Sequence, residues 1–101
     1  MKHDGVQFLF LTSTAGEKPE VPTGVVIERA GQMVLEFSDS EERYTVVGRA
    51  TGHFFTGEHS SRDPSRNAQA VWCNMNGECI GRWRENGTDY LFSFSLQLAS
   101  T

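Results

Sequence analysis

The two cysteines of this 101-residue chain, Cys73 and Cys79, are the first candidates for chemistry. They flank the turn sequence Met75-Asn76-Gly77. A three-residue loop with Gly77 in the left-handed conformation would place the cysteines directly opposite each other on neighbouring antiparallel strands. Opposed Cβ atoms in such a pair are about 4.5–5.5 Å apart, so a disulfide would need only a slight adjustment of the strands.

Three roles are open to this cysteine pair: a redox switch, half of a metal site, or packing in the core. Zinc requires a second pair of ligands, and five intervening residues do not make the C-x-x-C motif of redox proteins. Free cysteine is among the most buried residue types and stays reduced in the cytosol. We therefore predict two small apolar core residues and no metal or cofactor, although the spacing alone leaves a disulfide open.

A second candidate group consists of His53, Glu58, His59 and Asp63, where acid-base and metal-ligating side chains are concentrated. General acid–base catalysis, or a metal site of histidines and carboxylates, requires such groups to converge in a pocket. The two histidines share one side of a strand only if that strand continues past Gly57, and the polar composition that follows argues against this. We predict a solvated loop here.

No enzyme motif accompanies these residues. The sequence contains no GxSxG, HExxH, phosphate-binding P-loop or dinucleotide fingerprint. A non-enzymatic binding domain is therefore the predicted class of protein.

The length of the chain indicates the number of domains, and its charge limits the partners that such a binding domain could have. A chain of 101 residues suits a single domain, 1–101, with its own core. Residues 1–60 contain five Lys or Arg against nine Asp or Glu, whereas residues 61–101 contain four of each, so the net charge of −4 arises in the first part. This balance disfavours binding to nucleic acid or to an anionic membrane. The apolar run from Val6 to Leu11 is shorter than a signal-peptide core, and we expect a cytoplasmic location.

Apolar residues recur with a period of two along most of the chain, which predicts strands rather than amphipathic helices. Short turn sequences between the strands favour an all-β antiparallel meander closed into a β-barrel, with a two-sheet sandwich as the alternative. Seven strands are expected, or eight if the fourth bends at Gly52. Their ranges are Val6 to Thr12, Thr23 to Arg29, Gln32 to Ser38, Tyr44 to Thr56, Ala68 to Asn74, Glu78 to Glu85 and Thr88 to Leu98.

The register of each hairpin follows from its turn. Asn86-Gly87 as a two-residue type I′ turn places Trp83 opposite Tyr90. The inner face of this last hairpin then consists of Gly81, Trp83, Tyr90, Phe92, Phe94 and Leu96. In the first hairpin, a three-residue loop at 29–31 would instead bring Val25 and Ile27 to the inner face, together with Met33, Leu35 and Phe37.

Small residues form one wall of the predicted interior, at three consecutive inward positions of the fourth strand: Gly48, Ala50 and Gly52. The opposite wall is aromatic and consists of Trp83, Tyr90, Phe92 and Phe94. Dense packing by these rings is the commoner outcome, and the alternative is a cavity for a small apolar ligand, with segment 57–67 as a lid. This ligand-binding hypothesis is the first functional interpretation. The architecture resembles lipocalin-like and avidin-like barrels, but likeness of fold is weak support for function.

The outer face of the barrel gives the second hypothesis, a module for protein–protein interaction or homodimerisation. With the predicted registers, Trp72 lies opposite Ile80 on the outside, and Arg82 lies opposite Leu91. The first strand is apolar on both sides, so its outward leucines must be covered as well. Arginine stems laid over the tryptophan are the simpler explanation, and a twofold homodimer is the functional one. The predicted interface consists of Leu9, Leu11, Trp72, Ile80, Arg82 and Leu91.

Overall fold

The computed structural model describes residues 1–11 and 21–96 of the chain, and these residues form one antiparallel sheet that closes nearly into a barrel. The prediction of an all-β barrel is confirmed, with nine strands instead of seven or eight. The strands are β1 (Lys2–Gln7), β2 (Leu9–Leu11), β3 (Thr23–Arg29), β4 (Gln32–Ser38), β5 (Arg43–Thr51), β6 (Phe54–His59), β7 (Ala68–Met75), β8 (Glu78–Glu85) and β9 (Thr88–Ser95). A one-turn 3₁₀ helix, Pro64–Arg66, lies between β6 and β7.

The barrel closes because the chain passes from one edge of the sheet to the other at Phe8. Strand β1 pairs with β3, whereas β2 pairs with β9 at the far end of the sheet order. Phe8 lies between them, is fully buried, and its N–H donates to the carbonyl of Pro22 over 2.9 Å. The predicted first strand is thus two strands, and closure covers sheet edges that would otherwise be open. The predicted strand ends at Thr12 and Leu98 lie outside the described residues.

The predicted fourth strand is a hairpin, β5 and β6, whose two-residue turn is Gly52-His53. Gly52 has a φ of +64°, which explains why the chain reverses there. Strand β6 then continues past Gly57 to His59 and pairs with β7, so the prediction that the strand ends at Gly57 is wrong. Residues 57–59 accordingly belong to the sheet and not to a lid.

The hairpin between β7 and β8 differs from its predicted register. Asn76 and Gly77 form a two-residue turn with φ values of +57° and +93°. Asn-Gly is the preferred pair for a type I′ turn, whose twist matches that of the strands. The actual pairs are therefore Cys73 with Ile80 and Trp72 with Gly81. The predicted three-residue loop is wrong, and every side chain of β7 lies one residue out of the expected register relative to β8.

The same correction applies to the first hairpin. Arg29 pairs with Gln32, so the turn has two residues and the side chain that enters the core is Val26. Val25 and Ile27 lie half-buried on the outer side. The predicted register of the last hairpin is confirmed, because Trp83 pairs with Tyr90 and Arg84 with Asp89.

Within the described residues, no helix has the length and apolar character that crossing a membrane requires.

Candidate functional site

The interior of the barrel is filled by aromatic side chains. Trp72 is fully buried, and its indole lies over Gly48, where a Cβ atom would overlap the six-membered ring. The indole N–H donates to the sulfur of Met33 over 3.2 Å, so the ring has one fixed orientation. Phe92 meets Trp72 edge to face, with ring centroids 5.9 Å apart. The volume that Gly48 leaves is therefore occupied by the protein's own side chain.

One end of this cluster is fixed by the carboxylate of Glu85. Its Oε1 accepts from the Trp83 indole N–H over 3.0 Å, and its Oε2 accepts from the Tyr44 hydroxyl over 2.9 Å. Burial, followed by the hydrogen bond to Glu85, raises the pKa of Tyr44 far above its usual range. The phenol thus remains a neutral donor, and the two rings stand in fixed positions across the barrel.

The predicted ligand-binding residues do not all lie in the interior of the barrel. Gly48, Trp83, Phe92 and Phe94 are buried, and Tyr90 is half-buried. Ala50 and Gly52 are exposed, so the prediction that they line the interior is wrong, because β5 ends and turns there instead of continuing along the wall. The buried part of the predicted site is a packed core.

His59 acts as a backbone cap, although it belongs to the group examined for acid–base chemistry. Its Nδ1 accepts from the Thr45 N–H over 3.3 Å, at the point where the β5–β6 pairing has ended. Its Nε2 lies 3.1 Å from an oxygen of Glu42, and the accepting Nδ1 makes Nε2 the donor in the neutral ring. Both ring nitrogens are therefore used in holding the strands together.

The other members of that group lie apart from His59. His53 is exposed in the β5–β6 turn, and Glu58 is exposed on the outer face of the barrel. Asp63 accepts from the Ser65 N–H over 3.0 Å and so caps the 3₁₀ helix. Across residues 1–11 and 21–96, no three His, Cys, Asp or Glu side chains are grouped as a metal site would require. In this arrangement His59 and Asp63 both accept hydrogen bonds from backbone N–H groups and so act as structural caps.

The two cysteines lie on opposite faces of the sheet and are free thiols. Cys79 is buried in the core, and this burial raises the pKa of its thiol to about 12. Cys73 lies on the outer side of β7, with its Sγ 3.7 Å from the carbonyl oxygen of Ile80. The prediction of a core residue is correct for Cys79 and wrong for Cys73, because of the shift of register at Asn76-Gly77.

We expect one fast and one slow thiol in dilute native protein at pH 8. The thiolate is the reactive form, and a buried group with a pKa of about 12 is almost wholly protonated at that pH. A chromogenic disulfide reagent should modify Cys73 quickly and Cys79 only after unfolding, as single Cys73→Ser and Cys79→Ala variants would show. Two equally fast thiols would contradict the placement of Cys79 in the core.

A contiguous set of exposed and mainly apolar residues lies on the outer side of β7, β8, β9 and β2. Strand pairing places Leu11 beside Leu91, Leu91 beside Arg82, and Arg82 beside Val71. In the next row, Leu9 and Ile80 lie on either side of Ser93. We call this set the outer patch: Leu9, Leu11, Val71, Ile80, Arg82 and Leu91.

Four large apolar side chains of the outer patch are exposed. The exposed fractions are 44% for Leu9, 54% for Leu11, 38% for Ile80 and 52% for Leu91. Five of the six predicted interface residues therefore lie together, and pairing of β2 with β9 brings the leucines beside Leu91 as expected. The prediction is wrong for Trp72, which faces the core, and its place on the outside is taken by Val71, which is not among the predicted residues.

Charged groups lie within the outer patch and beside it. Arg82 makes no ion pair within the described residues, whereas Arg84 has Asp89 at 3.7 Å. Glu78, on the other side of Ile80, accepts a hydrogen bond from the Ser95 hydroxyl over 2.6 Å. The patch thus contains a cation that has no ion pair in the described part of the chain, and it has a carboxylate at one edge.

A concave groove of about 720 Å³ adjoins the patch, between Val47 of β5 and Val71 of β7. Arg49 and Arg82 border it, and Gly57 with Ala70 forms its floor. The groove lies on the outside of the barrel, so the concave surface described here belongs with the outer patch and not with the interior.

Comparison with known proteins adds no identification. No protein-family model, curated protein or solved structure matches this chain. The function must therefore be inferred from the geometry of the chain itself.

Proposed function

We propose that this protein is a non-enzymatic interaction module that forms a homodimer through the outer patch. The observation that carries the proposal is the adjacency of four large, exposed apolar side chains on one sheet face. Contiguous apolar surface of this kind, bordered by polar groups, is typical of protein interfaces. We expect a cytoplasmic location, which is consistent with two free thiols.

A second copy of the chain is the partner that the patch fits best. Two sheets pack face to face about 10 Å apart with interlocking apolar side chains, and the outer patch is one such face. A twofold dimer requires a surface that complements itself, and this surface has both a cation, Arg82, and a carboxylate, Glu78, flanking the apolar Ile80. Binding of an apolar ligand inside the barrel has only the general support of the fold, because Trp72 fills the space over Gly48.

Ile80→Glu should convert the dimer to a folded monomer. The substitution places a carboxylate from each protomer in an apolar interface, and we expect the dissociation constant to rise by about a hundredfold or more, roughly 2.8 kcal/mol. Light scattering and sedimentation equilibrium measure the mass, and circular dichroism checks the fold. Ser38→Glu is the matched control, because it adds the same charge at an exposed position of β4, which lies three strands from β7 in the sheet order. A wild-type protein that stays monomeric near millimolar concentration would refute the proposal.

A further inference from the structure

We propose that the two protomers meet about a twofold axis that crosses the strands at the level of Ile80, so that Arg82 pairs with the partner's Glu78. This inference rests on the proposed homodimer and specifies which residues meet in it. It follows from the strand register of the outer face together with the requirements of twofold symmetry.

The outer face consists of three successive rows of side chains at right angles to the strands. The middle row contains Cys73, Ile80, Ser93 and Leu9. The row on one side contains Val71, Arg82, Leu91 and Leu11. The row on the other side contains Met75, Glu78 and Ser95. Strands β7, β8 and β9 therefore contribute one residue to each row, and β2 contributes Leu9 and Leu11 to two of them.

Symmetry leaves two simple ways to place one such face on its copy. A twofold axis that relates two facing sheets lies in the plane between them, either across the strands or along them. An axis across the strands, at the middle row, sets each strand antiparallel to its own copy and exchanges the outer rows. Arg82 then meets the partner's Glu78, and Val71 meets the partner's Met75. Facing strands remain within about 30° of each other, as aligned sheet packing requires.

An axis along the strands, between β8 and β9, sets Arg84 against the partner's Asp89 but gives a poorer match for Arg82. It would place Arg82 against the partner's Leu91 and bury a guanidinium without a carboxylate. A buried, unpaired charge is strongly unfavourable, whereas a paired and hydrogen-bonded one is tolerated. Arg82 makes no ion pair within the described residues, and only Oε2 of Glu78 accepts a hydrogen bond there. The axis across the strands pairs the Arg82 guanidinium with the partner's Glu78 carboxylate, so neither charge is buried alone.

Reversal of the charges tests this pairing directly. Arg82→Glu and Glu78→Arg should each weaken the dimer at least tenfold, because each brings two like charges together. The double variant should restore the dissociation constant to within about threefold of wild type, since pairwise coupling is what a double-mutant cycle detects. Arg84→Glu is the matched control: we expect little change for the axis across the strands, but a weaker dimer for the axis along them, which sets Arg84 against the partner's Asp89.

A thiol cross-link tests the same axis by distance. Cys73 lies in the middle row and would face the partner's Cys73, so a short bismaleimide should link two protomers through one thioether bond at each end. The Cys79→Ala variant should be linked equally well, and Cys73→Ser should not be linked. Both measurements use the full chain.

The possible results distinguish the proposal about the twofold axis from the proposal that the protein is a homodimer. Rescue by the double variant together with a Cys73 cross-link supports the axis across the strands. A dimer that Ile80→Glu disrupts, but that shows neither rescue nor cross-link, would overturn this axis and leave the proposed function standing. A monomeric wild-type protein would overturn both proposals.

Discussion

An alanine at position 48 should destabilise the protein strongly while Trp72 is present, and much less once Trp72 is shortened to phenylalanine. A Cβ atom on Gly48 would overlap Cη2 and Cζ2 of the indole and lie 3.0 Å from the carbonyl oxygen of Met33. Overpacking of a dense core costs about 1–3 kcal/mol. Phenylalanine lacks the two overlapping carbon atoms, so the overlap disappears in the double variant.

Urea unfolding of the two single variants and the double variant gives the coupling free energy. We expect about 0.5–3 kcal/mol, with the double variant more stable than the sum of the single changes predicts. Phe8→Leu provides the control, because Phe8 is equally buried but its ring contacts Phe37 and Phe94 and not Trp72. Additive behaviour of Gly48→Ala with Trp72→Phe would mean that the indole does not occupy the space over Gly48.

Gly81→Ala should have a still larger effect on stability, about 3–5 kcal/mol. A Cβ atom at this position would overlap the carbonyl oxygen of Val71 and lie 2.6 Å from Cβ of Trp72. Backbone atoms cannot rotate away as a flexible side chain can, so strands β7 and β8 would have to separate where Trp72 enters the core. We expect the thermal midpoint to fall by well over 10 °C, since 1 kcal/mol shifts it by about 4–8 °C in a domain of this size.

Gly31→Asn is the control for that experiment. Gly31 has a φ of +72° and open space around it, and asparagine tolerates the left-handed conformation better than other residues with a Cβ. We expect a cost below about 1 kcal/mol from this change. A thermal midpoint for Gly81→Ala within a few degrees of that for Gly31→Asn would contradict the close approach of β7 to Gly81. If Gly81→Ala does not fold at all while Gly31→Asn folds, that result also supports the close approach of β7 to Gly81.

Local patterns in the sequence are sufficient to predict the bounds of several strands and the register of one hairpin. The alternation of apolar and polar residues predicts β3 and β4 with their observed bounds, and Asn86-Gly87 predicts the register of the last hairpin. At Asn76-Gly77 the same dipeptide forms the same kind of two-residue turn, and the three-residue loop predicted there is wrong. Because side chains alternate between the faces of a sheet, a loop one residue longer predicts Trp72 on the surface, whereas the side chain is buried in the core.

Part of the outer patch can be predicted from the sequence, because the segment that contains Leu9 and Leu11 is apolar on both sides. Leu9 and Leu11 cannot both pack inside together with Phe8 and Phe10, whatever the register, and Ile80 and Leu91 follow from a turn of known type. The role of His59 was not predictable, because its partner Thr45 lies on a strand whose pairing ends before that point. Such contacts depend on how strands splay in three dimensions, and no local pattern encodes that.

Closure of the barrel by the first residues of the chain has a consequence for its synthesis. Leu9 pairs with Ser93, so the edge that β2 seals stays open until almost the whole described chain has left the ribosome. Pairings between residues so distant in sequence form slowly, and an unsealed edge is free to pair with other chains in the meantime. The leucines of β2 therefore depend on the last strand twice: they are exposed on the nascent chain before it arrives, and only its arrival makes them part of a defined surface.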